Sequence, residues 1–135
     1  MATSLTFTSA AFAQNTAFAA AALTETTILT ADATNTRRIY GISFTNSGAQ
    51  IPVVTLRIKD GSSVAAGVFL VTTTTGANVM TDLFGNTNGA PIFQKKRDAN
   101  GNAYYDIPAT YTITAQLSLN ATSSCTIHVF GETYA

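Results

Sequence analysis

The feature that most limits what this chain can fold into is a two-residue rhythm near its C-terminal end. Tyr111, Ile113, Ala115, Leu117 and Leu119 alternate with Thr112, Thr114, Gln116 and Ser118, and after a polar break the rhythm returns at Cys125, Ile127 and Val129 and stops at Gly131. Successive side chains of a strand point to opposite faces, so each run has one dry face. The short break predicts a hairpin between the two runs. A sheet with one apolar face has to be covered, and no long helical period occurs elsewhere in the chain to cover it. A second sheet is therefore expected, which makes the fold all-β: a two-sheet β-sandwich, jelly-roll-like, with an Ala-rich N-terminal arm.

The remaining strand signals agree with that frame. Residues 26–30 read as a short strand, and residues 32–36 as a turn rich in Asn, Asp and Thr. Arg38, Tyr40, Ile42 and Phe44 are expected on one face of the next strand, with Ile39, Gly41 and Ser43 on the other. Val54, Leu56 and Ile58 form a further apolar face, opposed by Thr55, Arg57 and Lys59, and Asp60-Gly61 signals a type I′ turn into the apolar run 64–71, which should pair with it. Residues 78–84 are expected to make a single helical turn. Asn100-Gly101 favours a tight turn with positive φ, and Ile107-Pro108 ends the strand at 103–107. Eight or nine short strands at intervals of about ten residues are the cadence of a sandwich. The expected division is an arm or edge segment over residues 1–25 and a sandwich domain over residues 26–135. Residues 3–8 could form a strand, and residues 9–23, rich in Ala but carrying Asn15 and Thr16, are expected to be irregular or partly helical.

With 135 residues, one domain can bury a sufficient core without disulfides or metal. Charged residues are only 10% of the chain, against about 25% in typical soluble domains. Thr, Ser, Asn, Gln and Ala replace them, leaving a surface poorly defended against association. Seven basic and seven acidic residues cancel, so no net field draws in nucleic acid or anionic lipid, and neither is expected as a partner. Residues 10–23 include Ala-Phe-Ala-Gln, but no Lys or Arg precedes Arg37, which argues against a secretory leader, and Gln14, Asn15 and Thr16 interrupt the only candidate membrane span.

No residue constellation announces a chemistry, and no catalytic residue, cofactor or metal ligand is assigned. The single histidine, His128, stands on a strand with Ile127 and Val129 facing away from it, which suits a sheet-surface or interface residue better than a triad base. The single cysteine, Cys125, falls in the alternating pattern and is expected to be a buried, inert thiol. Asp98, Asn100, Asn102 and Asp106 could converge on calcium, but the helical calcium loop wants glycine and glutamate where Ala103 and Ala109 stand, so a plain turn is the stronger reading. Lys95, Lys96 and Arg97 form the one basic cluster, partly offset by Asp98. A solvated loop, or a surface that mates with an acidic neighbour, accounts for it better than a nucleic-acid patch.

Four segments, Pro91-Ile-Phe-Gln-Lys, Gly101-Asn-Ala-Tyr-Tyr-Asp-Ile-Pro-Ala, Tyr111-Thr-Ile-Thr-Ala-Gln-Leu and Ile127-His-Val-Phe-Gly-Glu-Thr-Tyr, resemble small all-β virion proteins of tailed bacteriophages. The resemblance covers roughly the last third of the chain. It implies a capsid decoration (cement) protein on the virion's capsid surface, partnered by the major capsid protein and by itself as a homotrimer, and not an enzyme. On that reading the arm, through Phe12, Phe18 and Leu23, and the basic residues Lys95, Lys96 and Arg97 would supply interface. The alternative is a neck, tail or fibre accessory protein whose sandwich binds carbohydrate, for which Tyr104, Tyr105 and Tyr134 would have to act as platforms in a chain without tryptophan.

Overall fold

A computed structural model describes residues 11–18, 25–49, 51–60, 65–74, 79–84, 95–118 and 125–134; for residues 65–74, Phe18 and Tyr134 it describes the backbone alone. Ten strands are assigned within those residues: β1 (Ala11–Phe18), β2 (Thr26–Leu29), β3 (Thr36–Asn46), β4 (Val53–Lys59), β5 (Ala65–Thr74), β6 (Val79–Asp82), β7 (Lys96–Arg97), β8 (Ala103–Ile107), β9 (Thr112–Leu117) and β10 (Cys125–Tyr134). They form two antiparallel sheets. Sheet A runs β1-β10-β3-β8-β7, with β6 also paired to β3, and sheet B runs β2-β9-β4-β5. The protein is an all-β sandwich.

The alternation read from the sequence places most of the core. Ile42 and Phe44 of β3, Val54, Leu56 and Ile58 of β4, Ile113, Ala115 and Leu117 of β9, and Cys125, Ile127 and Val129 of β10 are all buried between the sheets. Ile28 and Leu29 of β2 and Tyr105 and Ile107 of β8 close the same cluster. Burying one such aliphatic side chain is worth roughly 1.5–3 kcal/mol before chain entropy is charged against it. The expected pairing of the strand around Val54–Ile58 with the following apolar run is present as β4 with β5. The turn at 61–64 and the apolar segment at 91–94 lie outside the described residues, as do residues 1–10 and 19–24.

The expected hairpin between the two C-terminal runs does not form. β9 lies in sheet B between β2 and β4, whereas β10 lies in sheet A between β1 and β3. Both strands keep their dry faces, but these faces look at each other across the core instead of lying side by side. Alternation dictates which way side chains point; it is silent on which neighbour accepts the backbone hydrogen bonds.

The expected face of β3 is also half wrong. Its register with β10 shifts between Phe130 and Gly131, so that Gly41 stands opposite Phe130 while Ile39 stands opposite Gly131. Tyr40 is the extra residue of a β-bulge, and an extra residue inverts the parity of everything before it. Ile39 therefore joins Ile42 and Phe44 in the core, while Arg38 and Tyr40 turn outward.

Two further expectations are corrected. Residues 79–82 form β6, paired with residues 43–46 of β3, not a helical turn. Residues 11–18, read as irregular or partly helical, form β1, paired with β10 along its whole length. Alanine's helix preference amounts to a few tenths of a kcal/mol per residue, which an eight-residue ladder overrides. The turns follow local chemistry. Asp32 Oδ1 accepts the backbone N–H groups of Thr34 and Asn35 at 3.0 and 2.9 Å. Gly101 has φ of 82° and follows a turn closed by Gly101 N–H to Asp98 O at 3.0 Å, the three-residue hairpin loop with a left-handed closing residue.

Candidate functional site

The outer face of sheet A carries the candidate site, and the bulge in β3 creates it. One edge of β3 is paired with β10 on both sides of the bulge at Tyr40. Its other edge is shared by two strands, β8 against residues 37–39 and β6 against residues 43–46. Between them neither strand reaches Tyr40 and Gly41, and the sheet opens. The backbone N–H of Leu83 closes the β6 side by donating to Ile42 O at 2.9 Å.

Two depressions flank this opening and share Tyr40 and Phe84 as a common wall. One, of about 840 Å³, lies toward Arg38, Asp98, Asn102 and Glu132; the other, of about 490 Å³, lies toward Met80, Asp82 and Phe130. Met80 is 71% exposed and Phe130 47% exposed, and both line the second depression. Val79, at the start of β6, is exposed as well.

Around the first depression the side chains brace one another. Arg38 grips Asp106 with both ends of its fork, Nε to Oδ1 at 2.9 Å and Nη2 to Oδ2 at 3.2 Å. Its guanidinium carbon stands 3.8 Å from the centre of the Tyr104 ring, and Tyr104 meets Tyr40 edge-on at 6.4 Å. The hydrogen bond to Asp106 raises the Arg38 pKa further above its already high value, so this cation is permanent. A planar fork held by a carboxylate and stacked on a ring is rigid, and it presents a fixed surface.

The basic cluster is not one cluster in three dimensions. Lys95 turns inward, donating from Nζ to Phe84 O at 2.8 Å with Nζ 4.9 Å from the centre of the Phe84 ring. Arg97 donates to Gly101 O at 2.8 Å, closing its own hairpin. Lys96 and Arg97 are exposed on β7, at the edge of sheet A. Phe12, in β1, packs against the core with the Arg37 guanidinium 5.9 Å from its ring centre. Phe18 closes β1, and Leu23 lies outside the described residues.

The loop carboxylates considered for calcium have other work. Asp98 Oδ1 accepts the N–H groups of Asn102 and Asn100 at 2.8 and 2.9 Å, and these bonds hold its carboxyl below the usual range. Asp106 is held by Arg38. Among the described residues, no group of three or more His, Cys, Asp or Glu side chains is arranged to hold a metal. The tyrosine platforms fare differently from one another. Tyr105 is buried, edge-on to Phe84 at 5.4 Å, Tyr104 has one face occupied by Arg38, and the Tyr134 side chain is outside the description. Tyr40, which plain alternation places on the same face as Ile42 and Phe44, is the ring that walls both depressions.

His128 does stand on the outer face, opposite Ile127 and Val129. Its Nδ1 lies 2.7 Å from Asn15 Oδ1 and its Nε2 3.0 Å from Thr45 Oγ1, stitching β1, β10 and β3 together. Cys125 is buried, with Sγ 3.5 Å from Asn46 Oδ1, and burial pushes its pKa up. The described outer positions of β4 and β9 in sheet B are mostly polar by contrast. There Glu25 accepts from Thr114 Oγ1 at 2.6 Å and pairs with Lys59 at 2.5 Å, while Arg57 donates to Gln116 Oε1 at 3.0 Å. The charged groups so described are engaged in pairs and turns, an arrangement that fixes surface shape.

No protein-family model matches this sequence, and no curated protein matches it. Among solved structures, the chain is similar to a chain in the structure of infectious bursal disease virus Gx strain, with 8% identity and a TM-score of 0.26, over 96% of this chain and 39% of that one. This chain thus spans about two fifths of that chain's length. A superposition of that quality adds nothing to the fold, which rests on the strand pairing above. No helix among the described residues is long and apolar enough to cross a membrane.

Proposed function

We propose that this chain is a structural protein of a virus particle, a decoration protein that stabilises a phage-type capsid by bridging major capsid subunits through the outer face of sheet A. The supporting observation is the exposed apolar surface of Met80 and Phe130 beside the braced Arg38–Tyr104–Tyr40 array, on a chain only 10% charged. Interfaces are enriched in aromatic residues, Met and Arg, and Tyr40, Phe130, Met80 and Arg38 gather here beside the acidic Asp82, Asp98 and Glu132. The mechanism is mechanical. Many modest contacts, repeated over a symmetric shell, let one contact open while the rest hold, so the effective affinity far exceeds that of a single site. Catalysis forms no part of the proposal.

The test is binding of the purified chain to capsids that lack it. The chain should sediment with such capsids and raise the temperature at which they lose their contents, and the double variant M80S/F130S should weaken sedimentation at least tenfold while keeping the fold. Undiminished binding by that variant would remove sheet A from the interface; no binding by the wild type to any particle would remove the function.

A further inference from the structure

Sheet A ends at β1, whose one strand partner among the described residues is β10. Edge strands leave a row of backbone donors and acceptors open, and proteins ordinarily guard them with short length, charge, proline or a bulge. Within its own described residues β1 has none of these guards. It is eight residues long, contains no charged residue, proline or glycine, and pairs with β10 without a register shift. Its exposed positions are Ala11, Ala13, Asn15 and Ala17, side chains too small to hold another strand away.

A second, independent observation says what would add to this edge. Residues 10–20 read Ala-Ala-Phe-Ala-Gln-Asn-Thr-Ala-Phe-Ala-Ala, which is the same in both directions about Asn15 except that Gln14 mirrors Thr16. An antiparallel strand pair reverses direction, so a sequence that mirrors itself meets its own pattern when it pairs with a copy of itself. Placing the axis on a residue, not between two, also preserves the pleat: positions of like parity face each other, and the outer faces of both copies stay on one side. In that register Phe12 stands opposite Phe18, Ala13 opposite Ala17, Gln14 opposite Thr16, and Asn15 opposite its own counterpart.

We propose that β1 pairs antiparallel with β1 of a second copy of this chain about a two-fold axis through Asn15, joining the two A sheets into one continuous sheet. The contact is isologous, with each surface element used twice, and main-chain hydrogen bonds supply its affinity. It therefore builds a dimer, unlike the trimer that the phage resemblance implies. The pairing is independent of the capsid proposal, because a dimer with no affinity for particles leaves it intact.

Light scattering and sedimentation of the full chain, with far-UV circular dichroism to check the fold, read the outcome. The wild type should have twice the monomer mass. A13K/A17K sets like charges opposite each other at two places in the interface and should weaken association by at least about tenfold, since directly opposed like charges in a sheet repel. A13K/A17E sets each lysine opposite a glutamate of the other copy and should restore the dimer. N15C, oxidised, should give a disulfide-linked dimer, because paired strands hold opposed Cα atoms about 4.5–5.5 Å apart, within disulfide reach; this arm decides the matter if A13K/A17K does not fold. A monomeric wild type at high concentration, a trimer as the smallest assembly, equal loss in A13K/A17K and A13K/A17E, or no cross-link through N15C would each overturn the pairing.

Discussion

The ring of Phe130 occupies the space in which a side chain on Gly41 would have to stand, and at the next step of the same bulge the carbonyl of Arg38 occupies that space at Gly131. Two strands cross the irregularity in sheet A by pressing together where one residue of each opposed pair, Gly41 and then Gly131, lacks a side chain. The outward turn of Arg38 and Tyr40, and with it the opening between β6 and β8, depends on this contact.

The two glycines should therefore respond differently to alanine. G131A drives a methyl group into backbone, which cannot swing aside, and should cost about 3 kcal/mol, the upper end of overpacking penalties. G41A meets the end of a half-exposed ring and should cost about 1 kcal/mol, largely recovered in G41A/F130A. Urea unfolding of the four proteins tests this; equal losses at both positions would refute the asymmetry.

Thr110 has φ of 72°, left-handed backbone for a β-branched residue, and its N–H donates to Asp32 O at 2.7 Å. The strain is held by that bond and by the bond from Tyr111 N–H to Pro108 O at 3.2 Å. Because glycine and asparagine tolerate this region, T110G and T110N should raise stability, by up to about 1 kcal/mol. Thermal melts showing a lower midpoint for both would indicate that the hydroxyl or methyl group contributes more than the strain removes.

Hydrogen bonds from Lys59 and then Thr114 hold the Glu25 carboxyl below its ordinary range. A carboxylate with a folded pKa below its unfolded one stabilises the protein fully above the unfolded pKa, and that contribution disappears as pH falls through the folded one. Asp32 and Asp98, lowered by backbone N–H groups, act with the same sign. Stability should thus decline as the solution is acidified below the usual carboxylate range, and E25Q should flatten part of that decline without changing its direction. A wild-type profile that is level down to strong acid would contradict the assignment.

The Cys125 thiol, buried and with its pKa raised by that burial, should react with a disulfide reagent only when the sandwich opens, since the thiolate is the reactive form. Labelling in native buffer should track the unfolding equilibrium across a urea series. Rapid native labelling would mean that the end of β10 opens separately from the core.

How much of this was legible beforehand divides along one line. Which residues of β4, β9 and β10 face the core followed from alternation, because burial of one face imposes a two-residue period on any strand wherever it lies. The turns at Asp32 and at Asp98–Gly101 were legible for a similar reason, their geometry being set by carboxylates and a glycine within a few residues. Local preference alone suggests a helical turn at residues 79–82 and an irregular arm at residues 11–18, and the ladders to β3 and β10 outweigh it.

What the sequence by itself determined is the list of dry faces and tight turns, and so the need for two sheets. Only the tertiary structure decided which strand bonds to which: that β9 and β10, neighbours in the chain, belong to opposite sheets, and that an extra residue at Tyr40 sends Ile39 inward and Arg38 outward. The reason is physical. Side-chain direction is a property of a strand alone, whereas backbone pairing is a property of two strands, and its partner is chosen by how the whole core closes.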